Sequence, residues 1–275
     1  MSNPYAIYKA NYIANLPSGV TYNSTIARFF YNGKSFFTPQ AVEFYRIYLS
    51  KFESGGFDPS DISGLSLWLD ASDSSTITEN IGLVSQWDDK SGNGNHATQS
   101  KASRQPTYDS TADSLGGIVS SAENKFLTLG SYAVGRTFVF VGTQTNPVGV
   151  PSVVIFGDSD KSPDFHGQQG LARERLFSTQ FSKPEVYEGQ GYVNTGTTPV
   201  DADLLVKPRS RSSLIIETTG NAEFNSLADD RYSTQPFGER TFQGTYNEVL
   251  VYDRILTTQE RESLQDYLND KWSIS

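Results

Sequence analysis

Three carboxylates share one turn-rich loop, Asp158-Ser159-Asp160-Lys161-Ser162-Pro163-Asp164. Hard oxygen ligands at alternating positions suit Ca²⁺, which makes Asp158, Asp160 and Asp164 candidate calcium ligands. Lys161 and Pro163 do not fit an EF-hand, and the glycine and closing glutamate of that loop are missing, so a solvated acidic loop is the alternative. Asp88, Asp89 and Asn93 form a second, sparser set of oxygen donors. No other cofactor is called for.

Sugar binding needs a ring to stack on the pyranose face, with amides and acids to fix its hydroxyls. Tyr187, Glu188, Gln190, Tyr192 and Asn194 have that composition and are the candidate ligand-binding residues. The stretch reads as a loop or hairpin, and a packed hairpin is the competing interpretation. Glycoside hydrolysis asks for carboxylates at alternating strand positions, which share one face. Glu185 and Glu188 are three apart and would face oppositely, and Asp201 and Asp203 lack a third acid. The two histidines, His96 and His166, have no G-x-S-x-G elbow or helical metal-ligand spacing beside them. The expectation is a chain that is not an enzyme.

The elements that must position these groups change character along the 275 residues. About a quarter of residues 1–57 are Phe or Tyr, against 13% aromatic residues overall. Tyr5, Tyr8 and Tyr12 recur at helical spacing. A short helix is expected from Ser24 to Tyr31, stopped by Asn32-Gly33. Another is expected after Thr38-Pro39-Gln40, with Thr38 as N-cap and Pro39 at the first helical position. So small a unit has little core of its own. Its aromatic residues Tyr5, Tyr8, Tyr12, Phe29, Phe30, Phe36 and Phe37 are candidate anchors for assembly with a partner; packing on each other or on the following domain is the alternative.

After a Ser/Gly/Pro hinge, residues 58–275 read as short strands between turn clusters: Leu65–Leu69, Leu83–Trp87, Phe126–Leu129, Thr137–Val141, Val153–Phe156, Leu204–Val206, Leu214–Glu217 and Thr245–Tyr252. Thr257-Thr258-Gln259-Glu260 fits a capping box that opens a terminal helix. Leu264, Tyr267, Leu268 and Trp272 line one face of that helix, and Arg261, Glu262, Asp266 and Asp270 take the other. The fold class is therefore all-β, with a small helical segment in front and an amphipathic helix at the end.

Charge and composition exclude several partners. Lys and Arg total 22 against 31 Asp and Glu, a net charge of -9, so bulk electrostatics repel nucleic acid. No stretch approaches the ~20 apolar residues of a membrane span. The start, Met1-Ser2-Asn3-Pro4-Tyr5, predicts no secretory signal. Cysteine is absent, so no disulfide framework forms.

Three stretches carry a family likeness. They are Gly64-Leu65-Ser66-Leu67-Trp68-Leu69-Asp70-Ala71-Ser72-Asp73, then Val84-Ser85-Gln86-Trp87-Asp88-Asp89-Lys90-Ser91-Gly92-Asn93-Gly94-Asn95-His96-Ala97, then Tyr246-Asn247-Glu248-Val249-Leu250-Val251-Tyr252-Asp253-Arg254 with the helix that follows. Together they resemble the concanavalin A-like lectin/glucanase superfamily in its laminin-G-like or pentraxin-like form. The resemblance implies a two-sheet antiparallel jelly-roll sandwich over residues 58–275. Modules of this look occur in bacteriophage structural proteins and bacterial surface proteins. The resulting expectation is a virion component, a head decoration or fibre or a tail adhesin, assembled in the host cytoplasm. Its residues 1–57 would bind other virion structural proteins, and its lectin-like domain would face outward to a cell-surface glycan or protein, with a homo-oligomer as an open option. A bacterial carbohydrate-binding surface module is the alternative reading, and a glycan-active hydrolase a third.

Overall fold

The computed structural model describes residues 21–23, 28–31, 34–36, 57–112, 115–148, 150, 152–168, 174–231 and 240–274. The chain divides into two compact units, Met1–Asp58 and Pro59–Ser275.

The described part of the first unit is a three-stranded antiparallel sheet: β1 (Thr21–Asn23), β2 (Arg28–Tyr31) and β3 (Lys34–Phe36). This corrects the helix expected from Ser24 to Tyr31 over its described residues, 28–31; residues 24–27 lie outside the described ones. Tyr31 pairs with Lys34, and the two residues between them lie outside the described ones. In sequence, Asn-Gly between two aromatic-rich runs is a hairpin signal as well as a helix stop, and strand pairing here outweighs a short helical periodicity. Phe29 stands opposite Tyr22 and Phe36, and Phe30 opposite Thr21 and Ser35. Tyr5, Tyr8, Tyr12, Phe37 and the helix expected after Thr38 lie outside the described residues.

The second unit is all-β with a C-terminal helix. Its strands are β4 (Leu65–Asp70), β5 (Ile77–Asn80), β6 (Leu83–Trp87), β7 (Ala97–Thr98), β8 (Thr107–Asp109), β9 (Gly117–Ser120), β10 (Leu127–Gln144), β11 (Phe156–Gly157), β12 (Gln190–Val193), β13 (Val200–Asp201), β14 (Ser212–Leu227) and β15 (Gly244–Tyr252). A single turn, α1, spans Pro184–Tyr187, and α2 spans Thr258–Trp272. Two separate sheets were expected, but the pairing is continuous. The order is β13-β12-β14-β10-β7-β6-β8-β9-β15-β4, and β10 also pairs with β15, so six strands close into a ring. The cause is the length of β10. Thr128 and Leu129 pair with β7, while Thr137–Gln144 pair with β15. Register shifts between Thr128 and Ala133 and between Gly135 and Thr137 mark bulges, which bend a strand and let it change partners.

Alternation then sorts the side chains into two buried layers. Ile216, Phe138, Val251 and Leu67 stand in one cross-strand row, and Leu214, Phe140, Val249 and Leu69 in another. Both rows belong to the main core. There Phe156 stacks on Phe224 at 4.5 Å, and Phe165 meets Phe138 edge-on at 4.7 Å. Between those rows stand Ile215, Val139, Leu250 and Trp68, buried but on the opposite face. Trp68 therefore does not share the core of Trp87.

Helix α2 packs over that second face. Its capping box is complete: Thr257 Oγ1 accepts from the Glu260 amide at 3.3 Å, and Glu260 Oε2 accepts from the Thr257 amide at 2.9 Å. Leu264, Leu268 and Trp272 are buried as the periodicity predicts. Arg261 departs from it. It is buried, pairs with Glu217 at 3.3 Å, and stacks its guanidinium 3.9 Å from the Tyr192 ring centre. An arginine stem packs as apolar surface once its head finds a carboxylate.

Other expected strands shift. Of the expected strand Phe126–Leu129, residues 127–129 join Thr137–Val141 in the single strand β10, and Leu214–Glu217 is part of β14. Val153–Phe156 is strand only from Phe156, and Leu204–Val206 is a 3-10 turn over Ala202–Leu204 followed by a bridge at Val206. Among the described residues no helix is long and apolar enough to cross a membrane.

Candidate functional site

Four strands build a polar row on the outside of the sheet. Thr78, Gln86, Thr98 and Thr128 are successive register partners on β5, β6, β7 and β10. One position along, Ile77, Trp87, Ala97 and Leu129 are also register partners and pack against or within the core. The period of two that buries the second set turns the first toward solvent. Three interstrand steps make the row about 14 Å wide.

The segment after β7 raises a wall along this row. Gln99 is buried, its Oε1 accepting from the Lys101 amide at 3.1 Å and its Nε2 donating to the Phe126 carbonyl at 3.4 Å. A 3-10 turn over Ala102–Arg104 follows. The result is a groove of about 440 Å³ lined by the row, by Ser85, Gln99, Ser100, Lys101 and Arg104, and by Phe126 beneath. Thr78, Ser100, Lys101 and Arg104 donate no side-chain hydrogen bond to a described residue. Gln86 spends Nε2 on Asp88 at 2.7 Å and keeps Oε1 as an acceptor. The groove thus offers hydroxyls, an amide oxygen and two cations.

A second groove of about 360 Å³ lies beside the Gly-rich loop. Its amides are already committed. Asn93 Nδ2 donates to the Leu65 and Ser66 carbonyls, and Asn95 bonds Ser131 through both ends of its amide. Asp89 organises the same loop, accepting from the amides of Trp68, Ser91 and Asn95 at 2.9–3.0 Å. Gly92 and Gly94 supply the positive φ the loop needs, at 87° and 71°. His96 Nδ1 accepts from the Asp89 amide at 3.1 Å. Asp89 is therefore occupied with the loop, and the set Asp88, Asp89 and Asn93 is not arranged around an ion.

The calcium candidates also scatter. Asp158 is buried, and its Oδ1 accepts from the amides of Asp160 and Lys161 and from the Tyr132 hydroxyl. Asp160 is exposed and accepts from Ser159 Oγ. Asp164 accepts from the Glu223 amide at 3.0 Å and pairs with Lys183 at 3.5 Å; burial pushes it above the usual carboxylate range. Among the described residues no group of three or more His, Cys, Asp or Glu is placed to hold a metal. Each of these three carboxylates is turned to its own local partners.

The sugar candidates are divided as well. Tyr187 is half-buried at the end of α1, and Glu188 and Gln190 are exposed. Tyr192 is buried beneath Arg261 and presents no ring to a ligand. Asn194 takes φ 53°, accepts from the Ser213 amide through Oδ1, and gives its carbonyl to Gln265. It ties β12 to β14 and α2.

Sequence reasoning also missed a buried ionic cluster. Asp230 lies between Arg231 at 3.1 Å and Arg240 at 3.0 Å. His166 is buried beside Arg240, with Nδ1 bonded to the Gly167 carbonyl at 2.8 Å. Burial holds His166 below the ordinary histidine value, and the Arg240 charge adds to that. Asp229 is fully buried, with Oδ1 accepting from the Asp230 amide and Oδ2 without a partner. Burial pushes its carboxyl up to about 7, against the pull of that amide and of Arg104. The sequence signal was Asp229-Asp230-Arg231, but its partners come from residues 166 and 240.

No family model matches the chain, and no curated protein matches it. Among solved structures it is similar to a Trypanosoma rangeli sialidase in complex with sialic acid, at 12% identity and a TM-score of 0.41. The match covers 92% of this chain and 44% of that one, so the chain spans less than half the length of that structure. The expectation that the chain is not an enzyme is not carried forward, since the structure it is similar to is an enzyme. At this TM-score the likeness assigns neither a fold nor an activity to the chain.

Proposed function

We propose that the chain is a displayed binding protein whose second unit takes a glycan in the groove on β5, β6, β7 and β10. The observation that carries this reading is the polar row Thr78–Gln86–Thr98–Thr128, turned outward by strand register and walled by Lys101 and Arg104, with the Thr78 hydroxyl and the Gln86 amide oxygen open to a ligand. A glycan needs an open surface rich in hydroxyl and amide partners, long enough for more than one ring. The wall and row meet that need, whereas the second groove has spent its amides on its own loop.

In this reading the second unit is a concanavalin A-like jelly roll. Antiparallel pairing throughout the named strands and the two long bent strands β10 and β14 support that assignment. Residues 1–57 attach the chain to other structural proteins of a bacteriophage virion, and the second unit faces outward to the host. The aromatic content of residues 1–57 and the division of the chain near Asp58 favour an attachment role.

The test is a panel of immobilised bacterial surface glycans, probed with the full chain and with Thr98→Glu. Thr98 is exposed at the centre of the row, so a larger, charged side chain there obstructs the groove without touching the core. Retention of at least one glycan by the native chain, lost in the variant at unchanged melting temperature, is expected. Retention that Thr98→Glu leaves intact would place binding elsewhere.

A further inference from the structure

We infer that the saccharide taken by this groove is anionic, carrying carboxylate or sulfate groups that Lys101 and Arg104 receive. The inference rests on the groove being the binding face and adds the chemical class of its ligand.

Charge distribution is the first ground. The chain carries a net charge of -9, yet no carboxylate lines this groove. Several other cations are matched to acids: Lys90 with Asp70, Lys161 with Glu223, Arg209 with Glu174, Arg240 with Asp230, Arg254 with Glu260 and Lys271 with Glu248; Arg136 and Lys207 donate to backbone carbonyls instead. Lys101 and Arg104 form no such ion pair among the described residues. Arg104 acts electrostatically on buried Asp229, without a hydrogen bond to it. Two cations without an ion pair among the described residues, both on one groove that no carboxylate lines, make a local positive field that draws anions.

Geometry is the second ground. Lys101 is the N-cap and Arg104 the last residue of the same 3-10 turn. The turn brings both residues to the same groove, which Lys101 and Arg104 line together. The Arg104 guanidinium lies 5.7 Å from the Phe126 ring centre, and Phe126 lines the groove floor. This cation–π contact steadies the guanidinium, and its fork of N–H groups donates to no described residue. That fork matches a carboxylate or sulfate, while neighbouring Thr78, Ser100 and Gln86 suit sugar hydroxyls.

Titration of the full chain with two matched probe pairs tests this: hexagalacturonate beside its methyl ester, and a sulfated dextran hexamer beside the unsulfated one. The expected result is binding of at least one anionic member about tenfold or more tighter than its neutral twin. That binding should weaken at high salt, and Arg104→Gln and Lys101→Glu should each weaken it by a similar factor. Lys101 is exposed, so its variant reports on charge even where Arg104→Gln disturbs packing on Phe126. Equal binding of neutral and anionic twins, or indifference to both variants, overturns the anionic inference and leaves the groove reading standing if Thr98→Glu still abolishes binding. Failure of all four probes, with no ligand on the glycan panel, overturns both.

Discussion

Glu248 and Asp70 stand opposite each other on adjacent strands β15 and β4, both buried, and Lys271 of α2 reaches both, at 3.1 and 2.8 Å. Two carboxylates so placed would repel each other. Glu248 also accepts from Trp68 Nε1 at 2.8 Å, Trp272 Nε1 at 2.7 Å and the Tyr267 hydroxyl at 3.0 Å. Burial raises Glu248 above the usual carboxylate range, opposed by Lys271 and the two indoles. For Asp70 burial acts in the same direction but loses to Lys271, Ser72 and Lys90, which hold it low. This network is what fastens α2 to the sheet.

Lys271→Met leaves both acids without their shared cation and should cost about 3–5 kcal/mol in urea unfolding. The double variant with Glu248→Gln should regain more than about 1 kcal/mol, since a neutral amide needs no counter-charge. A raised carboxylate loses stability as pH rises through its folded value. The single variant should therefore be weakest at high pH. A loss under about 1 kcal/mol would show the bridge to be incidental.

Asp229 sets a pH dependence of its own. Its folded value, about 7, exceeds the 3.8 of the free side chain. Between those values the folded protein holds the extra proton, so this group's contribution falls as pH climbs from about 4 to about 7. Asp229→Asn should flatten the slope by up to about 1.4 kcal/mol per pH unit across that window. Denaturant midpoints at several pH values check this; parallel curves for both proteins would contradict it.

Ile81 occupies the tip of the β5–β6 hairpin with φ 53° and 92% of its surface exposed. A β-branched residue is strained there, and Gly82 at φ 76° completes a turn that prefers Asn-Gly. Ile81→Asn should stabilise by about 1 kcal/mol. A neutral or lower melting temperature would indicate that Ile81 makes a contact that offsets its strain.

Glu260 joins the cap of α2 to an ion pair, bonding the Thr257 amide and Arg254 Nη1 at 2.9 Å each. The Arg254 hydrogen bond, with those from Thr257, brings its carboxyl down to about 2. A depressed carboxylate contributes above its unfolded value and loses that contribution as pH falls toward 2. Glu260→Ala should cost about 1 kcal/mol at neutral pH and nothing further near pH 2. An equal difference at both pH values would argue against this linkage.

What was legible in the sequence was local. The cap at Thr257 and Glu260 and the strands at 65–70, 83–87 and 244–252 each announce themselves within a few residues through periodicity or capping chemistry. Asn32-Gly33 carries two readings in sequence, a helix stop or a hairpin signal, and the pairing of Tyr31 with Lys34 makes its described neighbours strand rather than helix. Arg261 looked solvent-facing because its partner Glu217 lies 44 residues away. The groove was hidden for the same reason. Thr78, Gln86, Thr98 and Thr128 have ordinary neighbours, and only strand register lines them up.

The central claim is that this row is the binding face. Hydrogen exchange of the full chain, with and without a saturating concentration of the glycan or anionic probe it binds, tests it most directly. The account predicts slowed exchange in the segments that hold Thr78–Gln86, Thr98–Arg104 and Phe126–Thr128, with little change around Tyr187–Asn194. Protection confined to Tyr187–Asn194 or to the Asp158–Asp164 loop, with the row unchanged, would contradict it.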